Sequence, residues 1–189
     1  MKQGLLIILS GPSGVGKGTV REVLMKDESL DLVYSISLTT RSPRNGEVDG
    51  REYFFTTVEN FEKEIENDGL LEYAKFVNNY YGTPKDYVLK TLAAGKNVLL
   101  EIETNGAQQV MEKAKDINHV SIFLLPPTFD ELRYRIEHRC TESKEVILER
   151  LNKAEKELKL ASLYDFCVVN DVPENAAYKI ANIIKCRIN

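Results

Sequence analysis

Apolar residues along this chain fall into two alternating rhythms, short unbroken runs and longer stretches with a helical period. Residues 5–9, Leu-Leu-Ile-Ile-Leu, show no polar alternation, the pattern of a strand buried on both faces of a parallel sheet. A glycine-rich turn follows, and a helix is predicted over 17–26, ending before the polar Asp27-Glu28-Ser29. A second strand fits 32–37, after which 38–50 carries turn residues and no apolar period. Residues 52–82 read as a small β-rich insert: Tyr53-Phe54-Phe55, a short helix over 58–67, a strand over 70–77 and a polar turn at Asn78-Asn79. Helical pattern resumes over 85–94, closed by Gly95.

The second half alternates regularly. Strands over 98–103, 120–125 and 166–169 are separated by helices over 105–115, from 128 through Arg135, and over 143–161, and a helix over 173–188 follows. Ile147, Leu151, Ala154, Leu158 and Ala161 recur at helical spacing and predict a core-facing stripe. The alternation predicts an α/β fold built on a mostly parallel sheet. The chain of 189 residues, without repeats, low-complexity tracts or linkers, suits one domain whose insert packs as a movable lobe.

Charge narrows the partners. With 25 basic and 29 acidic residues the net charge is −4, which excludes a general nucleic-acid or membrane-surface role and leaves basic sites local. Cys140, Cys167 and Cys186 are scattered and form no Cys-x-x-Cys pair, so neither a disulfide framework nor a metal knuckle is implied. His138 and Cys140 lack partners at metal-ligand spacing, and His119 reads as structural. The apolar run at the start is too short for a signal peptide, and no run approaches the roughly 18 apolar residues of a membrane span. A soluble cytoplasmic protein is expected, and no pattern fixes an oligomeric state.

The chemistry begins at residues 10–19, Ser-Gly-Pro-Ser-Gly-Val-Gly-Lys-Gly-Thr. Gly11, Gly14 and Gly16 let the backbone wrap with its N–H groups inward, the next helix adds its positive end, and Lys17 reaches the outer phosphates. The pattern Gly-x4-Gly-Lys-[Ser/Thr] is met through Lys17, but position 18 is glycine and Thr19 follows. The motif's hydroxyl orders magnesium, so either Thr19 contributes or phosphates, water and a carboxylate elsewhere hold the ion. Glu101 and Glu103 end a predicted strand where the crevice of an open parallel sheet lies. They are either surface acids or groups for metal-bound water, nucleobase donors or an arginine. Arg41 and Arg44, followed by Arg51 and Tyr53, make either a clamp for a second phosphate or a solvated loop. Arg135, Arg139 and Arg150 flank a connection at 138–143 and suit either a cationic lid or solvated helix faces.

Several segments together resemble guanylate kinase over essentially the whole chain: the phosphate loop, Thr-Thr-Arg-Ser-Pro-Arg at 39–44, Gly-Glu-Val-Asp-Gly-Arg-Glu-Tyr-Phe-Phe at 46–55, Leu-Glu-Tyr-Ala at 71–74, Asn-Tyr-Tyr-Gly-Thr at 79–83, Glu-Ile-Glu-Thr-Asn-Gly-Ala at 101–107, Ile-Phe-Leu-Leu-Pro-Pro at 122–127 and Val-Val-Asn-Asp at 168–171. The phosphate loop occurs in many nucleotide enzymes; the arginine and tyrosine segments in this order are far more specific. The resemblance implies an α/β, three-layer P-loop core with a mostly parallel sheet (residues 1–37, 84–137 and 143–189). It adds an inserted β-rich GMP-binding lobe (38–83) and a helical lid (137–143). The implied activity is magnesium-dependent transfer of the γ-phosphoryl group of ATP to GMP.

The same resemblance assigns residues. ATP is expected on Gly11, Pro12, Ser13, Gly14, Val15, Gly16, Lys17, Gly18 and Thr19, with Asn170 near the adenine. Arg41, Arg44, Tyr53 and Tyr81 hold the GMP phosphate, while Ser37, Glu72, Thr83 and Glu103 read the guanine. Lys17, Arg41, Arg135, Arg139 and Arg150 form the catalytic set, and Thr19 and Glu101 the metal side, partly through water. Two features depart from the family pattern: Glu137-His138-Arg139-Cys140 stands where Arg-Gly-Arg-Gly is frequent, and Glu101 and Glu103 stand where aspartates are. Competing readings are a kinase for another monophosphate, opposed by Glu72, and a peptide-binding module without catalysis, opposed by Lys17 with Arg41 and Arg44.

Overall fold

A computed structural model describes residues 3–139 and 143–188. The unbroken apolar run becomes β1 (Leu6–Ser10), every residue of which is buried. It lies at the centre of a five-stranded, all-parallel sheet, between β7 (Asn97–Glu101) and β8 (His119–Leu125), with β2 (Leu32–Tyr34) and β9 (Phe166–Val169) outermost. That position explains the absence of polar alternation. Ile7 and Leu9 pack under α1 (Lys17–Leu24) and α7 (Pro173–Ile188), while Leu6 and Ile8 face α3 (Lys85–Ala93) and α4 (Thr104–Lys113). Three layers result, as the α/β expectation requires. All five strands run the same way, so their carboxyl ends share one edge, where the glycine loop, Glu101 and Asn170 lie. Among the described residues no helix is long and apolar enough to cross a membrane.

A second sheet, of four strands, occupies the insert: β4 (Phe54–Phe55), β3 (Leu38–Thr39), β6 (Asn79–Pro84) and β5 (Leu70–Phe76), in that order. Helix α2 (Val58–Glu66) covers it through Phe61, fully buried and stacked on Tyr80 at 5.1 Å. This sheet is fastened to the core along β5. The Gln109 side chain of α4 accepts from Tyr73 N–H and donates to Tyr73 C=O, both at 3.2 Å. Lys113 and Lys85 both reach Asp68, at 2.6 and 2.7 Å, and hold its carboxyl down to about 2.

Several boundaries differ from the sequence expectation. β2 stops at Tyr34 rather than 37 because the chain crosses toward the second sheet, where the Ser37 carbonyl accepts from Phe54 N–H at 2.9 Å. Leu38–Thr39 is a strand inside the expected loop, too short to show a period. β7 ends at Glu101, and Glu103 occupies the N-cap position of α4, without a side-chain capping bond, instead of ending the strand. The hairpin turn is Val77-Asn78, one residue earlier than expected, with φ of 44° and 65° and Phe76 paired to Asn79. α5 spans Phe129–Arg139, and α6 spans Lys144–Leu158, giving way to a 3-10 turn over Lys159–Leu163. Residues 140–142 of the expected lid, and the Arg139 side chain, lie outside the described residues.

Candidate active site

The loop from Gly11 to Gly16 joins β1 to α1 with Gly14 and Gly16 at φ of 84° and 98°, a left-handed conformation that favours glycine. Space is as limiting as conformation. A Cβ on Gly11 would meet Leu124 O at 2.6 Å, and one on Gly16 would meet Asn170 Nδ2 at 2.7 Å. Lys17 turns back over the loop and donates to Gly11 O at 2.6 Å and Pro12 O at 3.2 Å. Burial pushes its ammonium below the ordinary lysine range, against the pull of Glu101, Glu157 and Glu103. A buried cation on two neutral carbonyls is poised to exchange them for anionic oxygens.

Arginines flank this loop from two helices. Arg135 of α5 donates to Val15 O at 3.3 Å and Asn170 O at 3.4 Å, and Glu131 holds its Nε at 2.9 Å. Arg150 of α6 donates to Ser13 Oγ at 3.1 Å. Asn170 is buried; its Nδ2 donates to Val15 O at 2.8 Å, while Oδ1 has no hydrogen-bond partner among the described residues. It lines a pocket of about 290 Å³ with Gly14, Gly16, Thr19, Arg135 and the stacked Tyr134 and His138 rings.

On the other side of the sheet edge lies a cleft of about 350 Å³, lined among others by Tyr34, Ser37, Tyr53, Glu72, Tyr81, Glu101 and Glu103. Glu72 is only 8% exposed; its Oε1 accepts from Thr83 Oγ1 at 2.7 Å. Gly106 lets α4 pass close by, since a Cβ there would come within 2.9 Å of Glu72 Oε2. Burial raises the Glu72 pKa, Thr83 opposes the rise, and the charge of Glu103 adds to it. At the far end Tyr53 and Tyr81 meet edge to face at 6.0 Å, and the Arg41 guanidinium lies 5.3 Å from the Tyr53 ring. Arg44 does not converge in the same way: its side chain is exposed, and its backbone N–H is what Glu47 holds, at 2.7 Å. Glu103 lines both this cleft and a cavity of about 540 Å³ over Gly11, Ser13, Lys17 and Arg150, so it stands between the two spaces.

The metal-side residues line different spaces: Thr19 borders the Asn170 pocket and Glu101 the cleft with Tyr34. Gly18, which Glu101 approaches, and Thr19 are adjacent on α1 and so point about 100° apart. Glu101 fits a divalent ion by itself. It offers hard carboxylate oxygens beside Gly18, burial raises its pKa, and Arg21 and Lys17 oppose that rise. Among the described residues no group of three or more His, Cys, Asp or Glu could hold a metal.

Two acidic residues escaped the sequence reading. Glu157 of α6, 6% exposed, accepts from Ser13 N–H at 3.3 Å and Thr104 Oγ1 at 3.2 Å, tying α6 to the loop and to α4. Its signal was its position three residues after Ala154, on the apolar stripe. Glu47 accepts from Arg41 Nη2 at 2.9 Å; this hydrogen bond and the Arg44 N–H hold its carboxyl below the usual range.

Comparison with known proteins agrees with this geometry. The family model described as guanylate kinase matches residues 3–187. A guanylate kinase of Latilactobacillus sakei subsp. sakei (strain 23K) is 54% identical over 183 residues, spanning 97% of this chain and 89% of its own. One from Listeria monocytogenes serotype 4b (strain F2365) is 52% identical, spanning 97% and 89%. The crystal structure of guanylate kinase from Anaplasma phagocytophilum superimposes with a TM-score of 0.74 at 32% identity, covering 98% of this chain and 87% of that one. With a phosphate loop, a buried carboxylate in the neighbouring cleft and this likeness over nearly its full length, the chain belongs to the guanylate kinase family, enzymes that phosphorylate GMP from ATP.

Proposed function

We propose a division of labour for this transfer in which the cleft holds GMP and the glycine loop holds ATP, with the two phosphates meeting near Glu103, which lines both cavities. The observation that carries it is Glu72, a buried carboxylate with one oxygen on Thr83. Guanine presents N1–H and N2–H2 side by side, and an ionised carboxylate accepts both; adenine presents an acceptor at N1 and is repelled. Ser37, Thr83 and Glu103 complete the base site. Arg41, Tyr53 and Tyr81 hold the GMP phosphate, which displaces Glu47 from the Arg41 fork, and Arg44 swings in with it.

On the donor side Lys17 exchanges its two loop carbonyls for phosphate oxygens, and the backbone N–H groups of residues 11–19 cradle them. The orphaned Oδ1 of Asn170 accepts from the adenine amino group. Arg135, Arg139 and Arg150 add positive charge as the transferred group loosens from ADP. The transition state is loose, so alignment and charge neutralisation carry the rate and no strong base is needed. Glu101 is the side chain that would hold magnesium, partly through water, and the ion would supply neutralisation of the donor phosphates' charge. Closure of the lobe (38–83) on the core excludes water from the γ-phosphate. A cytoplasmic setting suits the exposed free thiols of Cys167 and Cys186.

Calorimetric titration with GMP and with guanosine tests the division. Arg41→Met and Tyr53→Phe are expected to weaken GMP and leave guanosine unchanged, whereas Glu72→Gln weakens both. Equal loss of guanosine affinity in the phosphate-end variants would contradict it.

A further inference from the structure

The phosphate-loop motif is broken at Gly18, and the surroundings of that residue are unusual. Among the described residues a Cβ there would meet Glu101 Oε1 at 3.6 Å and Arg21 Nη2 at 4.0 Å, both ordinary contact distances. Gly18 is not among the residues with positive φ. Neither space nor backbone conformation therefore demands glycine. The opening is bounded instead by an ion pair: Arg21, one helical turn further along α1, places Nε 3.5 Å from Glu101 Oε2. The two side chains are only 26% and 18% exposed. The guanidinium also lies 4.8 Å from the Tyr34 ring, on the wall of the GMP cleft, which fixes the plane of the fork.

We propose that Arg21 is a positioning residue for the metal-side carboxylate: by holding Glu101 beside Gly18 it takes over, through Glu101, the orienting task that the motif gives to a hydroxyl at position 18. A hydroxyl on α1 would be rigidly placed by the helix. A glutamate reaching from the end of β7 has a longer, freer stem, and a partner that restricts it lowers the cost of ordering it when an ion binds. Arg21 can do so because its own guanidinium is held against Tyr34. The proposal rests on Glu101 as the residue that faces magnesium, and its test separates the two ideas.

The experiment measures Mn2+ binding to the protein–ADP complex by electron paramagnetic resonance of the free ion, alongside ADP affinity without metal and thermal unfolding. Arg21→Met is expected to weaken Mn2+ binding about tenfold while metal-free ADP affinity holds, as for loss of an outer-shell partner. Arg21→Lys restores part of the loss, and Gly18→Ser combined with Arg21→Met restores much of it by returning the hydroxyl. Should Arg21→Met fail to fold, Arg21→Gln, which keeps the stem and an uncharged donor, reads the same loss. Wild-type Mn2+ binding in the folded Arg21 variants, with weakened binding in Glu101→Gln, would overturn the role of Arg21 alone. Wild-type binding in Glu101→Gln as well would remove Glu101 from the metal side, and the proposal with it.

Discussion

Glu72→Gln changes one atom of the cleft and has a calculable consequence. In the wild type Oε1 is already engaged by Thr83 Oγ1 at 2.7 Å, so the glutamine carbonyl keeps that bond and its NH2 takes the other position. The NH2 then faces the N1–H and N2–H2 of guanine, donor against donors. Losing a hydrogen bond to a charged acceptor costs about 1.5–3 kcal/mol, and the upper end applies because the facing donors stay unpaired. At about 1.4 kcal/mol per tenfold, kcat/KM for GMP falls roughly 10²-fold. The ATP side is untouched, so KM for ATP stays near wild type. Stability moves the other way. Burial raises the folded-state pKa of Glu72, so its contribution to stability is present below the unfolded carboxylate range and is lost as pH rises through the folded value. At neutral pH the unliganded wild type therefore carries a cost that Glu72→Gln removes, and the variant melts no lower than wild type. Steady-state ADP formation with GMP varied at saturating ATP, followed by calorimetry, checks both signs. A kcat/KM for GMP within twofold of wild type, or an equal loss on the ATP side, would refute the reasoning.

The pH profile carries the same signature: KM for GMP rises as pH falls through the raised Glu72 pKa, where Thr83 and Glu103 face the group, and this limb vanishes in Glu72→Gln. An unchanged limb in the variant would assign it elsewhere. Gly106→Ala puts a Cβ within 2.9 Å of Glu72 Oε2 and displaces it, so KM for GMP rises several-fold although alanine favours helix α4 by up to about 1 kcal/mol; an unchanged KM counts against the close approach. Val77→Asn relieves a β-branched residue held at φ 44° and 72% exposed, and is expected to stabilise by about 1 kcal/mol, or about 2–4 °C in Tm. A lower Tm by scanning calorimetry would contradict that.

Much of this was legible in the sequence, for physical reasons that also explain the rest. The run Leu-Leu-Ile-Ile-Leu could only be a central strand, because each residue contacts one of two helical layers. The glycines announced the loop, since both conformation and space exclude side chains there. Glu72 and Thr83 are grouped only through resemblance, because they face each other across a hairpin whose register is set by a turn one residue earlier than the sequence suggests. Glu157 was hidden by its charged neighbours in Lys-Ala-Glu-Lys-Glu-Leu, although its place on the apolar stripe marked it as buried. Thr19 and Glu101 come from distant parts of the chain, so which space each lines is visible only once β7 and α1 are folded together. The Val77-Asn78 turn was missed by one residue because valine rarely adopts the left-handed conformation it takes there.

The central claim is that this cleft selects guanine while the glycine loop supplies the phosphoryl donor. The most direct measurement is ADP formation from ATP and magnesium with GMP, AMP, UMP, CMP and dTMP tested separately, using Lys17→Ala as control. The account predicts turnover confined to GMP and a fall of about 10²–10³-fold in the control. Comparable turnover with AMP or UMP, or full activity without the Lys17 ammonium, would contradict it.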